Sequence, residues 1–187
     1  MTEKKLQFKK IKDLAYTSIK KKDYQKGKEL LEKAILIEPN NAEALNDLGL
    51  LDFNLNNLDK SIDYFKKAIS INPNFSLAIN NLGNVFLKKK DFANAMQSYN
   101  QAIKIDSKNV YAHYNLGLLH YKKSEIKQAE KFFNLTINLI SNFRAAYINL
   151  FELYDKSNQV EKFHELLKKA EKVFSNDSMI NFFVGIY

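Results

Sequence analysis

The chain has 187 residues, 45% hydrophobic and 27% charged, with a formal net charge of +8 and no cysteine. That is enough apolar material for one ordinary domain or a short repeat array, and it excludes disorder, disulfide frameworks, thiolate zinc sites and cysteine nucleophiles. Five glycines and two prolines argue against phosphate loops and turn-dense β folds, while the charged start Met1–Lys10 and the lack of any apolar run near ~18 residues predict a cytoplasmic protein with no membrane partner.

The sequence repeats itself at a fixed step of 34 residues. In chain order the units are 8–41, 42–75, 76–109, 110–143 and 144–177, and 178–187 begins a sixth. Leu48-Gly49, Leu82-Gly83 and Leu116-Gly117 mark one register, flanked by Leu14-Ala15 and Leu150-Phe151. A second register is small in four units, at Gly27, Ser61, Ala95 and Ala129. A third holds Ala34, Ala68, Ala102, Thr136 and Ala170. A fourth is bulky throughout, at Leu31, Phe65, Tyr99, Phe133 and Leu167.

Each unit predicts two amphipathic helices of about 12 to 14 residues, with apolar side chains at three- and four-residue steps. In 42–75 the first carries Leu45, Leu48, Leu51 and Leu55, and the second Leu58, Ile62, Phe65, Ile69 and Ile71. The break at Asn56-Asn57 is too short for anything but an antiparallel pair. Gly49 and Ser61 let the two backbones cross closely, and Pro73 closes the unit. The fifth unit places Phe151 and Phe163 where the others are small, so its helices should splay. The segment 178–187 has Val184-Gly185 in the Leu-Gly register and stops on an apolar run to Tyr187. It is read as a partial sixth repeat or capping helix, and as a surface for homodimerisation.

These registers resemble the tetratricopeptide repeat, carried by Leu45/Leu48/Gly49/Ser61/Phe65/Ala68/Pro73 and by Ile79/Leu82/Gly83/Phe86/Ala95/Tyr99/Ala102. The resemblance implies an all-α fold, a right-handed superhelical solenoid of antiparallel helix pairs. It also implies a protein-binding scaffold without cofactors. The RNA-binding pentatricopeptide repeat has a period of 35 and lacks the Leu-Gly and double small-residue pattern, so it is set aside.

Catalysis finds no support. His113 and His120 lie seven apart on one helix face, but they fall in registers held elsewhere by Leu45, Ile79, Phe86 and Tyr154, which pack between helices. No acidic residue stands between Asp106 and Glu125 to complete a metal site. The pairs Asp59/Asp63 and Glu161/Glu165 sit four apart on lysine-bearing helices, the pattern of solvated faces. The chain is read as no enzyme.

In such a stack the first helices line the concave groove, and the sixth position of each unit points into it. That position is Asp13, Asp47, Asn81, Asn115 and Asn149. Three consecutive asparagines make an amide ladder able to grip a peptide backbone. The ladder resembles the one in the repeat domain of O-linked N-acetylglucosamine transferase. Asn80, Asn84, Tyr111, Tyr114, Leu118 and Tyr121 neighbour it, with some of the tyrosines expected in the core. Replacing the three asparagines is expected to weaken binding and leave the melting temperature unchanged.

Lysine clusters 20–22, 88–90 and 122–123 end three first helices, and Lys156 ends the fifth. They offset the helix dipole. Stacked in register, Lys88, Lys122 and Lys156 would also form a basic ridge steering a neutral to acidic peptide. The second unit interrupts this ridge with Asp52 and Asn56. A nucleic-acid partner is disfavoured, because 28 of the 29 basic residues are lysine and only Arg144 offers a planar fork. The two-carboxylate clamp by which some family members hold chaperone tails is matched only at Lys12, with Tyr16, Asp47, Leu77 and Asn81 at its related positions.

The reading is therefore a protein-interaction scaffold holding a peptide in its groove. The alternative is the recognition arm of a larger transferase, since 147–156 and the altered fifth unit are similar to the last repeats before sulfotransferase or glycosyltransferase domains.

Overall fold

The computed structural model describes residues 2–174, and over them the chain is helical with short turns. Ten α-helices follow one another among the described residues. They are α1 (Glu3–Lys20), α2 (Tyr24–Ile37), α3 (Ala42–Asn54), α4 (Leu58–Ile71), α5 (Ser76–Lys88), α6 (Phe92–Ile105), α7 (Val110–Lys122), α8 (Ile126–Leu139), α9 (Arg144–Lys156) and α10 (Val160–Val173). Odd-numbered helices are the first of each pair, and from α3 onward they start at the positions the repeat predicts. Only α1 starts earlier. The Thr2 hydroxyl accepts from the Lys5 amide and caps it ahead of Phe8. The segment 178–187 lies outside the described residues.

Local chemistry fixes the ends. Asp23, Asn41, Asp91 and Asn109 each accept from a backbone amide three residues on, satisfying a donor that the helix start leaves open. Every pair turns through a residue with positive φ at the same register: Lys22, Asn56, Lys90, Ser124 and Asn158. The next residue's amide reaches back to a carbonyl five residues before it, as Asp91 does to Phe86 and Glu125 to His120. Such a left-handed closure satisfies orphan carbonyls at the end of each first helix.

Two compact units are distinguished, Met1–Asp106 and Ser107–Tyr187; the sequence alone suggests one array. A repeat contacts only its neighbours, so a seam between repeats is the natural place for such a division.

In the first unit the large residue of each second helix fills the space left by the small residue of the first. A Cβ added at Gly49 would lie 2.7 Å from the Phe65 ring, and one at Gly83 would lie 2.6 Å from Tyr99. Both rings are fully buried, each removal from water stabilising by roughly 2–3 kcal/mol. Ser61 also hydrogen-bonds the Gly49 carbonyl at 2.7 Å, drawing α4 onto α3. Asp52, the residue that interrupts the lysines in sequence, is buried and bonded to Lys28 and Asn57. It therefore joins α2 to α3 and offers no surface charge.

The second unit repeats the arrangement at Gly117 and Phe133 and then reverses it. Phe151 occupies the small register of α9, Phe163 that of α10, and their centroids stand 5.0 Å apart. Leu167 replaces the ring of the fourth register. The backbones of α9 and α10 accordingly approach less closely than those of α7 and α8. Phe133, Ile137, Tyr147, Leu150, Phe151 and Phe163 form one buried cluster.

Candidate functional site

The first helices within each unit are joined side to side by polar bonds, and the predicted site residues carry many of them. In the first unit Tyr16 donates to Asp47, and Lys12 pairs with Glu43 at 3.1 Å while lying against the Phe8 and Tyr16 rings. Lys12, the one match to the carboxylate clamp, is thus engaged within the protein. Burial, ahead of the Asp47 carboxylate, pushes the Tyr16 hydroxyl up. Burial raises Asp47 as well, against the opposing bond from Tyr16.

One amide of α5 reaches the same neighbour, α3. Asn81 donates from Nδ2 to Asn46 Oδ1 at 2.9 Å, and Asn80 donates to Asn81 at 3.5 Å. Asn80 is only 2% exposed and Asn81 is also buried, so at this rung of the predicted ladder the amide is spent on a bond between helices. Position six of a unit thus reaches back to position five of the preceding first helix, and the short amide there completes a bond between helices. Asn84 is half-buried and accepts from the Tyr99 hydroxyl at 2.9 Å. Lys88 is exposed, but its Nζ sits 4.7 Å over the Phe53 ring and 3.4 Å from the Phe53 carbonyl.

The second unit brings together Tyr111, Tyr114, Asn115 and Leu118 on α7 with Asn149 and Lys156 on α9. Tyr111 is 54% exposed and stands edge-on to Phe143, which Tyr114 also contacts at 5.0 Å. Asn115 and Leu118 are half-buried. Asn149 Nδ2 donates to the Tyr114 hydroxyl at 2.9 Å and to the Ala145 carbonyl at 2.8 Å. Both of its N–H groups are then used, and the amide presents an acceptor oxygen. Two turns on, Lys156 Nζ donates to the Tyr121 hydroxyl at 2.7 Å and lies over its ring. This bond is the main cause of the raised Lys156 pKa. Lys122 is exposed and pairs with no carboxylate among the described residues. Lys88 and Lys156 are therefore pins, each resting on the aromatic residue 35 positions earlier.

The histidines take structural places. His113 is buried with Nε2 3.0 Å from the Ser107 carbonyl, and His120 stacks on Phe132 while its Nδ1 meets Glu125. Lys123 and His120 together hold the Glu125 carboxyl below its ordinary range. No group of three metal-binding side chains occurs among the described residues, and no described helix is long and apolar enough to cross a membrane. The bond from Asn81 to Asn46 escaped sequence reasoning, although the 35-residue offset of two amides was there to find it.

Four models of the tetratricopeptide repeat match, at residues 13–41, 42–75, 64–97 and 83–124. Together they span more than half of the chain. No curated protein matches it in sequence. Among solved structures it resembles PilF of Pseudomonas aeruginosa at TM-score 0.82 and 16% identity, over 97% of this chain and 83% of that one. MamA of Desulfovibrio magneticus RS-1 aligns at TM-score 0.74 and 19% identity, over 95% and 99%. YrrB, described as a tetratricopeptide protein with an unusual peptide-binding site, aligns at TM-score 0.65 and 18% identity, over 95% and 91%. These likenesses show the fold, a solenoid of antiparallel helix pairs.

Proposed function

Because the chain belongs to the tetratricopeptide repeat family, we propose that it is a protein-interaction scaffold whose first-helix faces hold a peptide segment of neutral to acidic character. The observation that supports this most is Tyr111. A large aromatic side chain is left more than half exposed on α7, braced by Phe143, beside the partly open Tyr114, Asn115 and Leu118. Rigid aromatic surface with a hydrogen-bonding tip is the usual material of a protein-binding patch. α7 carries no acidic residue, and Lys122 and Lys156 end the two first helices here, which favours an acidic ligand over a basic one. The YrrB description supports a peptide as the kind of ligand.

Photo-crosslinking tests the reading. A benzophenone side chain is placed at Tyr111 in one protein and at Leu36, an 81% exposed residue of the second helix α2, in another. Peptides selected on the wild-type protein should crosslink from position 111 and not from position 36. Crosslinking from position 36 alone would move the ligand to the second-helix face and defeat the proposal.

A further inference from the structure

Among the described residues, the tyrosine hydroxyls that bond another side chain divide into two kinds. Tyr16, Tyr64, Tyr99 and Tyr154 spend their hydrogens on Asp47, Glu32, Asn84 and Glu130. Tyr114 and Tyr121 do the opposite, accepting from Asn149 and from Lys156. A phenol that accepts still has its own O–H to give, and neither hydrogen meets an acceptor among the described residues. A hydroxyl accepting from an ammonium group is also a stronger donor through cooperative polarisation. The two bridges share one geometry. Each runs from α9 to α7 across 35 residues of sequence, and they lie seven residues, or roughly 10 Å, apart along the helices.

Their chemistry differs, and the difference specifies a ligand. At the first bridge the Tyr114 O–H offers a donor beside the unspent acceptor Oδ1 of Asn149, the complement of a peptide group. At the second, the Tyr121 O–H and the Lys156 ammonium offer two donors side by side, the complement of a carboxylate. Glu152 Oε2 forms a loose ion pair with Lys156 Nζ at 4.0 Å, beyond hydrogen-bond reach, so it takes none of the ammonium hydrogens. Lys122, next to Tyr121, adds a second exposed cation. An extended chain advances about 3.4 Å per residue, so the bridges are about three residues apart on a ligand.

We propose that the α7–α9 face reads an acidic peptide by a peptide group at Asn149 and Tyr114 and a carboxylate at Tyr121 and Lys156. This rests on the first-helix reading above and assigns its charge preference to one pair of side chains. The carboxylate comes from an Asp or Glu side chain or from a chain end.

The test uses the full chain and two positional-scanning libraries of N-acetylated octapeptides, one C-amidated and one with free carboxyl ends. Wild type should enrich Asp or Glu at one position, or require the free end, and the two libraries tell these sources apart. Tyr121→Phe, which keeps the ring and the fold, should weaken the acidic peptides about tenfold, the scale of one hydrogen bond to a charged group. Lys156→Met should do at least as much. Lys168→Met, the same charge change on α10, should do nothing. An acidic preference that survives in Tyr121→Phe and Lys156→Met overturns the proposal. Selection without acidic preference overturns it too, yet leaves the peptide groove standing. Failure of wild type to select any peptide from either library overturns both.

Discussion

Lys28 and Asp52 meet inside the first unit, Nζ to Oδ1 at 2.5 Å, with the carboxylate completely buried between α2 and α3. Asn57 donates to the same oxygen, and Oδ2 has no hydrogen bond among the described residues. Removing the cation strands a buried charge. Lys28→Met should therefore destabilise by about 3 kcal/mol or more, whereas Lys28→Met with Asp52→Leu should recover most of the loss. Urea denaturation of the two variants checks this, and equal losses in both would show that the pair itself matters little.

The ring-on-glycine contacts predict sharp intolerance of one methyl group. A Cβ at Gly117 would lie 2.6 Å from the Phe133 ring, so Gly117→Ala should cost about 2–3 kcal/mol by overpacking. Adding Phe133→Leu should relieve part of that cost, since the fifth pair combines Phe151 with Leu167 at these registers. Thermal melts of the single and double variants provide the comparison.

Asn81→Ala removes the donor to Asn46 and leaves a buried amide oxygen unsatisfied. A loss of about 1–2 kcal/mol is expected. A melting temperature unmoved by this change would return Asn81 to the role of a ligand residue alone.

Lys22 and Lys90 hold φ of 65° and 62°, a region that costs a side-chain-bearing residue about 1 kcal/mol and glycine little. Lys90→Gly should raise the urea midpoint, and Asn56→Gly should do less because asparagine already tolerates this conformation. A lower midpoint for Lys90→Gly would mean that the lysine stem packs usefully in the turn.

Burial holds the hydroxyls of Tyr64, Tyr99, Tyr114, Tyr147 and Tyr154 above their ordinary value, that of Tyr154 at about 12. Their folded pKa exceeds the unfolded one, so the stability they contribute is complete below about pH 10 and is lost as pH rises through the folded values. Tyrosinate absorbance and helical circular dichroism should change together above that pH. Smooth titration near pH 10 with helicity intact would contradict it.

The period, the pairing and the exchange of large for small residues were legible in the sequence because each is a local property repeated at a fixed step. Phe151 and Phe163 announced the altered fifth pair in the same way. The partners of Asp52 and Asn81 were not legible, because each lies on another helix, Lys28 in one case and Asn46 in the other. Lysine and asparagine types carry no signal of such pairing. The left-handed turns were legible only in part, since Asn56 and Asn158 favour them and Lys22, Lys90 and Ser124 do not.

The reversed fifth pair also limits how this gene could be recombined. Excising 34 residues between equivalent points of the second, third and fourth pairs would restore a glycine opposite each ring. Joining α9 to a second helix of the α8 type would instead set Phe151 against an aromatic like Phe133, and joining α7 to α10 would leave Gly117 opposite Leu167 with Phe163 crowding the crossing. The fifth pair is therefore matched only to itself, while the second, third and fourth pairs can trade halves.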